Sequence, residues 1–190
     1  LNHTIEVSDV NNDGYQDIII GNHGLNSRLK ASEKYPLTML VNDFDNNGNI
    51  EQILGMYRDK SLYPIVQLKD LWMQIPSLKK KYLKFENYKN EKLFDLFEED
   101  VLNSSLKLYT YKLNTSLWIN NKGINFSEID LPSQSQFSPV YAIILDDINL
   151  DGNKDIIMGG NQYKIKPEIG IHDASYVSTY LGDGKGNFKY

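Results

Sequence analysis

Asp9-Val10-Asn11-Asn12-Asp13-Gly14-Tyr15-Gln16-Asp17-Ile18-Ile19-Ile20-Gly21 places oxygen-bearing side chains at alternate positions, then a glycine, then an acid, then a short apolar run that a second glycine ends. The pattern returns without gaps at Asp43-Phe44-Asp45-Asn46-Asn47-Gly48-Asn49-Ile50-Glu51 and at Asp147-Ile148-Asn149-Leu150-Asp151-Gly152-Asn153-Lys154-Asp155. The shared form is Asp-x-[Asp/Asn]-x-[Asp/Asn]-Gly-x-x-[Asp/Glu]. The chain holds 20 asparagines and 16 aspartates, so turn-forming side chains are abundant. Even so, its own residue frequencies give only ~0.005 chance matches over the whole length, and three matches are therefore a repeat.

The spacing has a chemical reason. Calcium is a hard cation that takes six to eight oxygens, and side chains at positions 1, 3 and 5 converge when the chain wraps round an ion. Position 6 must turn sharply, which glycine permits at positive φ. Gly14, Gly48 and Gly152 stand there. Position 7 offers a backbone carbonyl and position 9 another carboxylate. The expected ligands are Asp9, Asn11, Asp13, Tyr15 and Asp17 in the first loop. They are Asp43, Asp45, Asn47, Asn49 and Glu51 in the second, and Asp147, Asn149, Asp151, Asn153 and Asp155 in the third. Up to three Ca²⁺ ions are expected. The all-oxygen donor set disfavours zinc and copper, and magnesium asks for a stricter octahedron. The second loop is the weakest match, because Asn47 replaces an acid and Glu51 is longer than aspartate. The bland alternative is that such stretches are simply turns.

An EF-hand needs a bidentate glutamate at position 12 and flanking helices. Position 12 is Ile20, Leu54 and Met158. Short apolar runs flank the loops instead: Ile5-Glu6-Val7, Leu37 to Val41, Tyr141 to Leu145, and Ile156-Ile157-Met158 before Gly159. They read as strands, so each loop joins two strands.

In Asp9 to Gly21 and Asp147 to Gly159 the chain resembles the FG-GAP/VCBS repeat family, whose repeats run Asp-x-[Asp/Asn]-x-Asp-Gly-x-x-Asp, then an apolar pair, one further residue and glycine. The resemblance covers roughly residues 1–56 and 106–190. It implies an all-β fold, a partial β-propeller of about three blades with calcium in the strand-connecting loops, as in integrin α heads and many bacterial surface proteins. A second repeat agrees with it. Asn120-Asn121-Lys122-Gly123-Ile124-Asn125-Phe126 matches Gly182-Asp183-Gly184-Lys185-Gly186-Asn187-Phe188, each following a strand-like run. Both read as hairpin turns. The expected blades are 1–56, 57–131 and 132–190, with the second calcium loop in the outer hairpin of the first blade. Three blades do not close a ring, so the others would come from a longer chain or from another one.

Residues 67–105 do not read as strands. Leu68, Leu71, Trp72 and Ile75 follow helical spacing, Pro76 suits the start of a second helix through Lys84, and Leu93, Phe94, Phe97 and Val101 form another apolar stripe between Asn90 and Leu102. This is an expected helical insertion whose aromatics belong to local core rather than to a partner-binding face.

The remaining features narrow the function. Net charge is −5, with nine of the 25 carboxylates in the three loops, and no basic footprint for nucleic acid is present. There is no cysteine, which excludes disulfides and thiol-ligated metal. No apolar run is long enough to span a membrane. The start lacks a signal-peptide pattern and the first loop begins at once, so the chain reads as a piece of a longer protein. No nucleophile elbow, P-loop or zinc helix occurs. His3, His23 and His172 read as polar turn residues, although His172 could pair with Asp173. Gly21 to Arg28 and Gly159 to Tyr176 are long loops at equivalent places, suited to binding. The expectation is a secreted, cell-surface or outer-membrane-associated module, not an enzyme, that binds a protein or glycan. The alternatives are a carbohydrate-active hydrolase or lyase, which would need a separate carboxylate pair, and a pure scaffold.

Overall fold

The computed structural model describes residues 2–166 and 169–190. Leu1 of the first expected blade and Pro167 and Glu168 of the third lie outside the described residues. The described chain is mostly β: three four-stranded antiparallel sheets and a few short helical segments. It forms two compact units. One comprises Leu1–Arg28 with Leu113–Tyr190, and the other Leu29–Lys112.

The first unit holds two sheets. Strands β1 (Thr4–Ser8) and β2 (Asp17–Gly21) flank the first loop, and their register runs from Thr4 opposite Gly21 to Ser8 opposite Asp17. A second sheet repeats the device. Strands β9 (Ala142–Asp146) and β10 (Asp155–Gly159) flank the third loop, from Gly159 opposite Ala142 to Asp155 opposite Asp146. The first sheet is completed by β7 (Ser116–Asn120) and β8 (Phe126–Asp130), and the second by β11 (Ser178–Gly182) and β12 (Phe188–Lys189). Each is a simple meander, its strands in chain order. Alternation decides which side chains meet: Ile19 and Leu117 leave one face of the first sheet, and Ile156, Met158 and Tyr180 leave the facing side of the second. All five are buried in one apolar cluster. Burying each of the four aliphatic side chains contributes roughly 1.5–3 kcal/mol.

The second unit holds β3 (Leu37–Asn42), β4 (Glu51–Arg58), β5 (Ser61–Pro64) and β6 (Leu106–Thr110), in the order β5-β4-β3-β6. One face of this sheet, through Leu40, Ile53 and Leu62, joins Leu68, Leu71, Ile75, Leu93 and Leu96 in a separate core. The Trp72, Phe97 and Val101 side chains pack against that core, which is the local role expected for the stripe.

Three expectations change. The second of the three repeated loops joins β3 and β4, which belong to the second unit's sheet and not to the sheet of β1 and β2. The partner of β2 is β7, with Ile18 opposite Trp118 and Ile19 opposite Leu117. The boundaries 1–56 and 57–131 are therefore not sheet boundaries, because Leu29–Lys112 is inserted, in chain order, between the second and third strands of the first sheet. Finally, the helical insertion is more broken than the stripes suggest. It consists of α1 (Leu68–Gln74), a 3-10 turn at Pro76–Lys79, α2 (Phe85–Tyr88), a 3-10 turn at Leu93–Asp95 and α3 (Glu99–Ser104). None of these segments has a side-chain N-cap hydrogen bond. Segments this short hold their shape through the apolar face they bury rather than through propensity.

Candidate metal centres

All three loops close on one hydrogen-bond scheme. The position-1 carboxylate accepts from the backbone N–H groups of positions 5 and 6. Asp9 takes Asp13 and Gly14 at 3.2 and 2.8 Å, Asp43 takes Asn47 and Gly48 at 2.9 and 2.7 Å, and Asp147 takes Asp151 and Gly152 at 3.0 and 2.8 Å. The position-5 oxygen accepts from the N–H of position 7: Tyr15 to Asp13, Asn49 to Asn47, Asn153 to Asp151. The position-9 acid accepts from the N–H of position 2: Val10 to Asp17, Phe44 to Glu51, Ile148 to Asp155, each at 3.0 Å. Asp17, Glu51 and Asp155 are buried.

Backbone conformation explains the glycine. Gly14, Gly48 and Gly152 have φ of 88°, 88° and 89°. A Cβ on any of them would meet nothing within 4 Å, so the requirement is conformational and not one of space. Position 4 is also left-handed, at Asn12, Asn46 and Leu150, with φ of 60°, 57° and 61°. The sequence pattern missed this position. Asparagine at two of the three was its only trace.

Position 3 separates the loops. In the first and third it is asparagine, whose oxygen accepts the N–H of Asp13 or Asp151 and whose amide donates to the same residue's carboxylate. The amide of Asn149 and, more strongly, the N–H of Asn153 hold the exposed Asp151 carboxyl below its ordinary range. In the second loop position 3 is Asp45, and its Oδ1 is buried without a hydrogen-bond partner. Asp43, Asp45 and Glu51 bring one carboxylate oxygen each to within 4.8 Å of one another. Three converging carboxylates, one of which also holds a buried and unpartnered oxygen, fit a hard divalent cation. The loop that matched the pattern least well is thus the one whose acids the fold draws together. In the other two, Asp17 and Asp155 spend both oxygens on backbone N–H groups, the second from Asn120 and from Gly182 at 2.8 Å. The first and third loops adjoin, since Asn12 Nδ2 donates to Asn153 Oδ1 at 3.3 Å.

Two further features are relevant to binding. His23 and His172 are not isolated turn residues. Each is 6% exposed, their rings meet nearly edge to face at 4.7 Å between centroids, and neither Nε2 has a hydrogen-bond partner. Burial, then the nearby His172 and His3, pull His23 down to about 4. The loop bearing His172 is tied back by a pair of backbone hydrogen bonds with Gln162 and by the Ser138 hydroxyl on the His172 carbonyl. Within the second unit, Tyr35 and Tyr57, 5.1 Å apart, line a groove with Lys30, Ser32, Asp59 and Lys60. Its volume is about 230 Å³. Sites that enclose drug-sized ligands are larger, ~300–1,000 Å³.

No family model matches the chain, and neither a curated protein nor a solved structure matches it. Among the described residues no helix is long and apolar enough to cross a membrane.

Proposed function

We propose that the chain is a calcium-binding module of the FG-GAP/VCBS type, whose two stacked meanders are neighbouring blades of a propeller, and that it works at the cell surface or outside the cell by binding a protein or glycan. The observation that carries this reading is the common hydrogen-bond scheme of the three loops, together with the Asp43–Asp45–Glu51 trio in one of them. When bound, calcium would be held by these three acids and would neutralise their mutual repulsion. The chain's own share is a loop already closed on its backbone N–H groups, so little ordering remains for an ion to impose. The extracellular assignment rests on affinity. Loops of this kind outside cells bind weakly, with Kd ~10⁻⁴–10⁻³ M, and fill only where calcium is abundant.

The test is thermal unfolding of the whole chain at matched ionic strength, in EDTA and then in about 1–10 mM calcium or magnesium, a range spanning such affinities. A ligand of the folded state alone must raise Tm as its concentration rises. A calcium-specific rise supports the module; the same Tm in EDTA and in calcium removes both the metal and the argument for the outside of the cell.

A further inference from the structure

Asparagine and aspartate share a shape and differ in charge, and position 5 of the loops holds both. It is Asp13 in the first loop, Asp151 in the third and Asn47 in the second. The three side chains sit alike. Each δ1 oxygen accepts the backbone N–H two residues on, from Tyr15 at 2.9 Å, Asn153 at 2.8 Å and Asn49 at 2.8 Å. A carboxylate therefore already occupies this geometry twice in the same molecule.

Asn47 is also the only asparagine in the chain that a glycine follows. Such a pair is chemically labile, because the glycine nitrogen can attack the side-chain amide carbon and no Cβ obstructs the approach. The loop holds the parts for this reaction. The Asn49 N–H on Asn47 Oδ1 polarises the carbonyl under attack. The Gly48 N–H, the attacking group, donates to Asp43 Oδ2 at 2.7 Å, a carboxylate placed to take its proton. Nothing lies within 4 Å of the place where a Gly48 Cβ would stand, and Asn47 and Gly48 are both exposed, so water reaches the product. Ring closure involves only atoms of this one loop.

We propose that Asn47 is a site of self-deamidation that converts the second loop to the form Asp-x-Asp-x-Asp-Gly. The Gly48 nitrogen bonds to the Asn47 side-chain carbonyl carbon, the bond from that carbon to Nδ2 breaks, and ammonia leaves carrying the proton lost by Gly48. Water then opens the cyclic imide. Opening at the side-chain carbonyl leaves aspartate at position 47, and opening at the backbone carbonyl leaves isoaspartate, with the main chain routed through the former side chain. The aspartate adds a fourth acid to Asp43, Asp45 and Glu51, and calcium affinity follows the number of charged ligands. The isoaspartate lengthens the backbone within the turn. The effect on calcium rests on the metal reading above, whereas the modification itself does not.

The experiment holds the whole chain, folded, in EDTA at slightly alkaline pH, beside a free peptide of residues 43–51. Samples taken over days are digested, and mass spectrometry follows each asparagine. Conversion in the folded chain should concentrate at Asn47 and run at least as fast as in the peptide. Asn47→Gln, whose longer side chain closes a ring far less readily, should remove it without disturbing the fold. A folded chain whose Asn47 stays intact after the peptide has converted overturns the proposal, as does conversion spread over the other asparagines. Asn47→Asp installs one product directly, and by calorimetry it should bind calcium about tenfold more tightly than wild type. Equal or weaker binding overturns the gain in affinity. Conversion at Asn47 with no calcium binding by either protein removes the metal reading and leaves the modification site standing.

Discussion

Asp17 and Asn120 stand 103 positions apart in the chain, yet the Asn120 backbone N–H donates to Asp17 Oδ1 at 2.8 Å while Val10 N–H donates to Oδ2 at 3.0 Å. One buried carboxylate thus ties the loop between β1 and β2 to the end of β7. Asp155 repeats the arrangement with Gly182 and Ile148. The acid that closes the metal pattern is, in these two loops, a clamp between loop and sheet.

Asp17→Ala should therefore destabilise the protein without any metal present. It leaves the buried Val10 N–H and the partly buried Asn120 N–H unpaired, at a cost of up to ~1–3 kcal/mol each. Asp17→Asn keeps one acceptor and should cost about half as much as alanine on the same accounting. Hydrogen exchange of the Asn120 amide in EDTA measures it directly, with protection falling from wild type through asparagine to alanine. Equal protection in all three would show that the carboxylate is no clamp.

Much of this was readable in the residues, and the unread part has a physical pattern. The loops, their flanking strands and the turn at Asn120–Phe126 are local, so spacing and glycine reveal them. Partner choice is not local. The hairpins β1–β2 and β3–β4 share one loop chemistry, and nothing in either says that β2 takes β7 at Ser116 while β3 takes β6 at Leu106. The contact of His23 with His172 is hidden for the same reason: the two rings come from separate loops, each with a single histidine. The helices differ from their sequence pattern in the opposite sense. Their apolar stripes are real, but Pro76 opens only a 3-10 turn of Pro76–Lys79. The stripe is spent on the sheet beneath it, not on a long continuous helix.

Asp45→Asn should separate metal binding from folding. Asp45 Oδ1 is buried without a partner, so neutralising the side chain removes a desolvation cost when no ion is bound. In EDTA the variant should be as stable as wild type or slightly more so. Its affinity for calcium, followed by calorimetry, should fall by about tenfold or more, the equivalent of 1.4 kcal/mol. An unchanged affinity would mean that the second loop is not the calcium site.

Leu150 offers a gain in stability. It holds φ of 61° where the other loops have asparagine, and it is 86% exposed, so its side chain contributes little packing. A left-handed conformation costs an L residue roughly 1–2 kcal/mol, and asparagine bears it better through local hydrogen bonding. Leu150→Asn should raise stability by about 0.5–1 kcal/mol, and Gly152→Ala, at φ of 89°, should lower it by about 1–2 kcal/mol. Urea midpoints of the two variants should move in opposite directions from wild type. A loss on Leu150→Asn would show that the leucine side chain is held by more than its backbone.

Stability below neutral pH should depend on His23. Its folded-state value lies near 4, well under the ordinary 6.5, because burial and the neighbouring His172 and His3 disfavour the charged ring. Between those two values the unfolded chain binds more protons than the folded one, and stability then rises with pH. The contribution is fully present above about 6.5, drains away as pH falls, and is gone below about 4. A depression of this size corresponds to at most about 3.4 kcal/mol across the window, and to less where solvent screens the ring. Carboxylates titrate toward the lower end of the same window, so the wild-type slope alone does not isolate the ring. His23→Gln has no ionisable group there, and the difference between its stability and that of wild type should grow less favourable to wild type from pH 7 to pH 4. Chemical unfolding at half-unit steps of pH in EDTA resolves this. Parallel curves for the two proteins would show that His23 takes its proton in the folded state as readily as in the unfolded one.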